Sequence, residues 1–143
     1  MVAQDSPPLG IGIVGAGFMG QTYARTIVTQ TTGATLKAVA VGSRARDDID
    51  LVCIATPHAL HGPQGLAAAK AGKHLLIDKP MACSAAECDA ILAACTASNL
   101  RCDITYTQRD RVCNTEMKRI IDSGTLGKVR HIHNVQVVPD GMK

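Results

Sequence analysis

The sequence predicts an α/β protein built on a doubly wound parallel sheet, and three observations carry that prediction. Short, nearly all-apolar runs alternate with helical patterns, as strands do when crossover helices bury them on both faces. The first run, Leu9 to Val14, leads straight into Gly15-Ala16-Gly17-Phe18-Met19-Gly20, a G-x-G-x-x-G turn that opens a helix. The polar groups Thr56-Pro57 and Asp78-Lys79-Pro80 follow later apolar runs directly. They therefore fall at the carboxyl ends of strands, the edge where open α/β sheets bind ligands.

Taken in order, Leu9 to Val14 is the first strand and Phe18 to about Thr29 the first helix. Gly33 lies just beyond that helix, where a left-handed residue carries no Cβ strain. Leu36 to Val41 and Leu51 to Ala55 are the next strands. Pro63 sits where the first turn of a helix tolerates it, and Gly72 closes that helix. His74 to Ile77 is a strand. Ser84-Ala85-Ala86-Glu87 has the form of a capping box, with side chains serving each other's backbone N–H groups, and its helix runs to about Ser98. Arg101 to Tyr106 is a further strand. Asn114 is placed to cap a helix over Thr115 to Asp122, ended by Gly124. Val129 to Val138 is a last strand; it has no visible neighbour, so disorder or pairing with another chain is expected there.

One joint is too short for this scheme. Only Ser43 to Ile49 link the second and third strands, which in a doubly wound sheet lie on opposite sides of the first. The return needs roughly 17 Å along a strand and about 9 Å across two inter-strand steps, whereas seven extended residues reach at most about 25 Å. A helix–strand–helix stretch is therefore expected to be absent between about Arg46 and Asp47. The reading is an incomplete dinucleotide-binding domain of Rossmann type over 1–126, with 127–143 starting a second, α+β domain that is otherwise missing.

Composition narrows the function. The 143 residues carry a net charge of +3, no Trp and only Phe18, Tyr23 and Tyr106 as aromatics. Base-stacking platforms are scarce and no basic block tracks a phosphate backbone, which argues against a nucleic-acid partner. No apolar run approaches 18 residues, so no membrane partner is expected. The start lacks a signal-peptide core, so the expected location is the cytoplasm. The six cysteines, Cys53, Cys83, Cys88, Cys95, Cys102 and Cys113, form no C-x-x-C pair and are expected to be reduced thiols; Cys88 and Cys95 share a helix face, as core residues do. His58 and His61 lack a third ligand in sequence reach, so no metal is expected.

The glycines have separate tasks. Gly15 permits the tight turn, Gly17 lets the backbone approach a pyrophosphate, and Gly20 lets helix and strand pack closely. Phe18, Met19 and Gly20 then offer free N–H groups at the positive end of the helix dipole. At the tip of the second strand stand Ser43 and Arg44 in place of an acid. A hydroxyl and a planar guanidinium suit the extra phosphate of NADP better than the bare ribose of NAD, so NADP is favoured, with NAD the alternative.

Further motifs follow the glycine turn: Thr56-Pro57-His58-Ala59-Leu60-His61, Ala71-Gly72-Lys73-His74 leading into Asp78-Lys79-Pro80, and Ser123-Gly124-Thr125-Leu126-Gly127. Together they resemble the Gfo/Idh/MocA family of glucose–fructose oxidoreductase and inositol 2-dehydrogenase-like enzymes. The resemblance implies hydride transfer between nicotinamide and the carbinol carbon of a sugar, cyclitol or related small-molecule alcohol. It implies that Thr56, Pro57 and His61 line the nicotinamide-side loop, that Asp78, Lys79 and Pro80 also belong to the cofactor site, with Pro80 shaping the loop, and that Lys79 is catalytic, reaching the substrate hydroxyl. More loosely, it places Tyr106 and Arg109 toward substrate. Asp78 stands where the family has Glu, one methylene longer. The D-x-x-x-H motif of the family's second domain is absent, so the chain is expected to be incomplete for turnover; homo-oligomers are expected to form through that missing domain. Two other readings stay open: a dinucleotide-binding module without turnover, and a 6-phosphogluconate or 3-hydroxyisobutyrate dehydrogenase-like enzyme, which the G-x-G-x-M-G pattern also suits.

Overall fold

Five parallel strands form one sheet in the order β2-β1-β3-β4-β5. The structure is a computed structural model that describes residues 7–40 and 46–135. Its elements are β1 (Leu9–Val14), α1 (Phe18–Gln30), β2 (Ala34–Ala40), β3 (Leu51–Ile54), α2 (His61–Lys70, preceded by a single 3-10 turn), β4 (His74–Ile77), α3 (Ala85–Ala97), β5 (Cys102–Ile104) and α4 (Val112–Asp122). They divide into two compact units, one through Tyr106 and one from Thr107 onward.

In the first unit, alternation along the strands sends side chains to two faces, and each face has its own helices. Ile11, Ile13 and Cys53 pack with Tyr23, Ala24 and Ile27 of α1. Ile54, Leu75 and Ile77 pack with Ala68 and Ala69 of α2 and with Ile91 and Cys95 of α3. This is the double winding expected from the sequence. Ile13, Ile54, Leu75, Ile77 and Ile91 are fully buried, each worth about 1.5–3 kcal/mol of removed apolar surface. Cys88 and Cys95 both join this core, and all six cysteines are free thiols.

The pairing of β1 with β2 shifts register between Ile11 and Gly12: Leu36 faces Ile11, Ala38 faces Gly12, and Lys37 is the extra residue of a bulge. β2 is described to Ala40 and β3 starts at Leu51, as expected; of the joint between them, residues 41–45 lie outside the described residues. Asp50 fastens its far end: its Oδ2 accepts from Gly10 N at 2.7 Å, and its N–H donates to Gly10 O at 2.8 Å. Ile49 lies over Gly12, where a Cβ would stand 2.7 Å from its Cδ1. Beside it, between α2 and the β1–β2 face, runs a groove of about 670 Å³ lined by Gly12, Val14, Ala38, Val52, Ala67 and Ala68, with Arg46 and Lys73 among its polar members.

Several local expectations change. Ser84 Oγ accepts from Glu87 N as a cap should, but the Glu87 carboxylate reaches one residue further back, to Cys83 N at 3.1 Å. In the second unit, α4 starts at Val112, two residues before the expected cap. Asn114 lies inside its first turn and donates to the Gln108 carbonyl instead. Gly124, with φ +73°, ends the helix as expected. Residues 129–135 form no strand; the remainder of that expected strand lies outside the described residues. Among the described residues no helix is long and apolar enough to cross a membrane.

Candidate functional site

The glycine turn is built as its chemistry requires. Gly15 has φ +107°, and a Cβ there would lie 2.5 Å from the Ala55 carbonyl oxygen, so the turn presses against the peptide leading into Thr56. Gly20 sits under the same turn: its Cβ would fall 1.9 Å from Gly15 O. Gly17, by contrast, is exposed and has nothing within 4 Å of where a Cβ would be. Two glycines are thus needed by the protein's own packing, while the third leaves space in front of the α1 N-terminus for a ligand. Phe18 is 84% exposed and Met19 half-buried at that mouth. Ser43 and Arg44 lie outside the described residues.

The other candidate residues meet the turn along one sheet edge because β3 and β4 run parallel to β1 in the same sheet. Ala55 N donates to Val14 O and Asp78 N to Ile54 O, both at 2.8 Å, and Thr105 N to Ile77 O at 3.0 Å. Each residue after a strand is thereby held by the last carbonyl of the strand before it. Thr56 Oγ1 donates to Gln64 Oε1 at 2.6 Å, which orients the loop against α2. Pro57 is exposed.

His61 is fully buried. Its Nδ1 lies 2.6 Å from Pro80 O and its Nε2 2.8 Å from Thr56 O. Both nitrogens are spent on carbonyls of the two site loops, so this side chain fastens the loops together and presents no nitrogen to a cofactor. His58 meets it edge-on, with ring centroids 5.5 Å apart. Among the described residues no group of three or more His, Cys, Asp or Glu is gathered as metal ligands would be.

Lys79 is exposed, and the peptide joining it to Pro80 is cis. The Lys79 N–H donates to Asp78 Oδ1 at 3.0 Å. The same oxygen accepts from Thr105 Oγ1 at 2.8 Å and from the Tyr23 hydroxyl at 3.1 Å. Sequence reasoning missed Tyr23, Thr105 and Gln64. The available signal was Tyr23, a polar-tipped aromatic on the buried face of α1 whose hydroxyl had to find a partner. Burial pushes this phenol up to about 12; the Thr105 hydroxyl pulls it down and the Asp78 charge adds to the rise. Tyr106 is half exposed at the end of the first unit. Arg109, exposed, belongs to the second unit.

Known proteins share both sequence and architecture with this chain. The family model described as "Oxidoreductase family, NAD-binding Rossmann fold" (Gfo/Idh/MocA) matches residues 42–106. The chain is 31% identical over 150 residues to inositol 2-dehydrogenase 1 of Saccharopolyspora erythraea, covering 87% of this chain and 44% of the relative. It is 30% identical over 164 residues to inositol 2-dehydrogenase of Rhodococcus erythropolis, covering 96% and 47%. It thus spans about half the length of these relatives. An alignment of 164 positions is longer than a 143-residue chain, so the relative also carries residues within the aligned span that have no counterpart here. Scyllo-inositol dehydrogenase of Lactobacillus casei, solved with bound NAD(H) and scyllo-inositol, has a similar fold, with a TM-score of 0.75 at 23% identity over 84% of this chain and 42% of that one. From the family match, the dehydrogenase relatives and the shared sheet, the chain belongs to the Gfo/Idh/MocA oxidoreductase family.

Proposed function

We propose that this chain is the cofactor-binding portion of a nicotinamide-dependent dehydrogenase acting on a cyclitol, sugar or related alcohol. The observation that carries the reading is the convergence on one sheet edge of an open Gly17, the Thr56-Pro57 loop and the Asp78-Lys79-Pro80 turn. Gly17 to Gly20 would hold the pyrophosphate on the N–H groups of α1. Thr56 and Pro57 would border the nicotinamide, which when bound supplies the carbon that gives or takes hydride. Lys79, exposed and carried on a turn anchored from both sides, would hold the substrate hydroxyl and move its proton. Tyr106 and Arg109 would serve the substrate side. The relatives' names support a polyol substrate.

The preference for NADP over NAD rests on Ser43 and Arg44. Because the chain lacks Trp, emission from the reduced nicotinamide can be followed directly in titrations with NADPH and NADH. The expected result is binding of both, NADPH more tightly, with Arg44→Ala abolishing that margin. Tighter NADH binding by the wild type overturns the phosphate argument, and no binding of either overturns the cofactor reading. We also propose that a helix–strand–helix stretch present in relatives is absent near 46–47. The groove beside Ile49 and the long alignment support this, since a parallel sheet needs both faces covered. Residues 127–143 would begin the substrate domain.

A further inference from the structure

We propose that Tyr23 and Thr105 are positioning residues for Lys79: their hydroxyls fix the Asp78 carboxylate, and that carboxylate fixes the Lys79 backbone. The inference deepens the dehydrogenase reading and rests on it for its consequence, but the arrangement itself stands on geometry. One oxygen, Asp78 Oδ1, gathers three donors: Thr105 Oγ1 at 2.8 Å, Lys79 N at 3.0 Å and the Tyr23 hydroxyl at 3.1 Å. The Tyr23 hydroxyl also lies 2.9 Å from Thr105 Oγ1, so its one proton is shared between Thr105 and Asp78, closing a triangle of polar atoms. The three side chains are part-buried, which strengthens each bond relative to water and makes loss of a partner costly.

The donors come from distant parts of the sequence. Tyr23 is 55 residues from Asp78, and Thr105 is 27 residues from it. Tyr23 belongs to α1, the helix that opens at the glycine turn; Thr105 follows β5 directly. The Asp78 carboxylate is therefore where the helix offering its N-terminus to a pyrophosphate is tied to the turn carrying the reactive lysine. An aspartate, shorter than the family's glutamate, suffices because both hydroxyls come to it. The bonds are directional, so the turn's orientation depends on them: removing one donor leaves the carboxylate free to swing and the Lys79 amide without a fixed acceptor.

The test uses the full chain and five variants, Tyr23→Phe, Thr105→Val, Thr105→Ser, Asp78→Asn and Tyr106→Phe. Reduced-nicotinamide fluorescence reads cofactor affinity, thermal melting reads folding, and tyrosinate absorbance after a rapid pH jump reads the triangle. Tyr23→Phe and Thr105→Val should each weaken NADPH binding three- to tenfold, whereas Thr105→Ser, which keeps the hydroxyl, stays within twofold of wild type. A merely structural role predicts no such separation between Val and Ser at equal melting temperature. In the Tyr106→Phe background only Tyr23 remains to titrate, and Asp78→Asn should move its step to lower pH. Thr105→Val binding NADPH as tightly as wild type overturns the positioning role. An unmoved Tyr23 step in Asp78→Asn overturns the triangle. Failure of the wild type to bind either nucleotide overturns the dehydrogenase reading, while the tyrosinate step still decides the triangle.

Discussion

Alanine at Gly20 and at Gly17 should separate folding from binding, although the two positions lie in one motif. At Gly20 the added Cβ would fall 1.9 Å from Gly15 O, so something must move by about 1 Å to reach ordinary contact. Gly15 has little room to give way: its N–H is bonded to Ala40 O at 2.8 Å, and the Ala55 peptide lies close enough that even a Cβ would not fit between them. Helix α1 must lift, loosening Tyr23, Ala24 and Ile27 on the sheet. Overpacking of this kind costs about 1–3 kcal/mol, and a backbone obstacle belongs at the top of that range. The gain in helix propensity offsets about 1 kcal/mol. A net loss of about 2 kcal/mol follows, or roughly 6 °C in Tm for a chain of this size.

At Gly17 no atom lies within 4 Å of the added methyl, and the backbone, with φ −72° and ψ −168°, suits any residue. A few tenths of a kcal/mol lost at the helix cap are offset by a similar gain from stiffening the unfolded chain, so stability changes by less than about 0.5 kcal/mol. Cofactor affinity should fall about tenfold, near 1.4 kcal/mol, because the methyl occupies the pyrophosphate's approach. Urea unfolding followed by circular dichroism and nucleotide titration by fluorescence check both halves. A Gly17→Ala protein that binds like wild type, or a Gly20→Ala protein equally stable, refutes the division of labour.

Replacing His61 by Ala should cost about 3 kcal/mol or more, since the ring that spans the Thr56 and Pro80 carbonyls is lost and a cavity opens; denaturant midpoints measure it. Thiol labelling mapped by mass spectrometry at pH 8 should mark exposed Cys83 and Cys113 first. Cys53 and Cys102, whose thiols burial pushes up to about 12, should react only on unfolding. Stability should fall in alkali. Tyr23, Cys53 and Cys102 all hold their protons more tightly folded than unfolded, so their contribution is complete below their ordinary values, 10.0 for the tyrosine and 9.0 for the thiols, and is lost as pH rises toward about 12. Urea midpoints between pH 8 and 11 should show that slope, smaller in Tyr23→Phe.

Much of this was legible because it is written locally. The glycine turn, the apolar strands and Gly33, Gly72 and Gly124, all at positive φ, follow from backbone chemistry that short windows contain. What stayed hidden depends on long-range closure. That Tyr23 meets Asp78, or that His61 spends both nitrogens on Thr56 and Pro80, follows from sheet order and not from spacing. Asn114 misled because a capping residue is attractive wherever it stands, and here the preceding loop offered its amide a carbonyl first. Ser43 and Arg44 keep their sequence-level argument alone.

The bulge at Lys37 bears on what happens at the outer border of the sheet. Among the described residues β2 pairs with β1 alone, so its other side shows a row of backbone donors and acceptors to a passing strand. A charged residue inserted as the unpaired member of a bulge breaks the straight run such a visitor would need and places an ammonium group in its path. Among the described residues nothing else pairs along that border, and the lysine works against neighbouring molecules adding themselves to it.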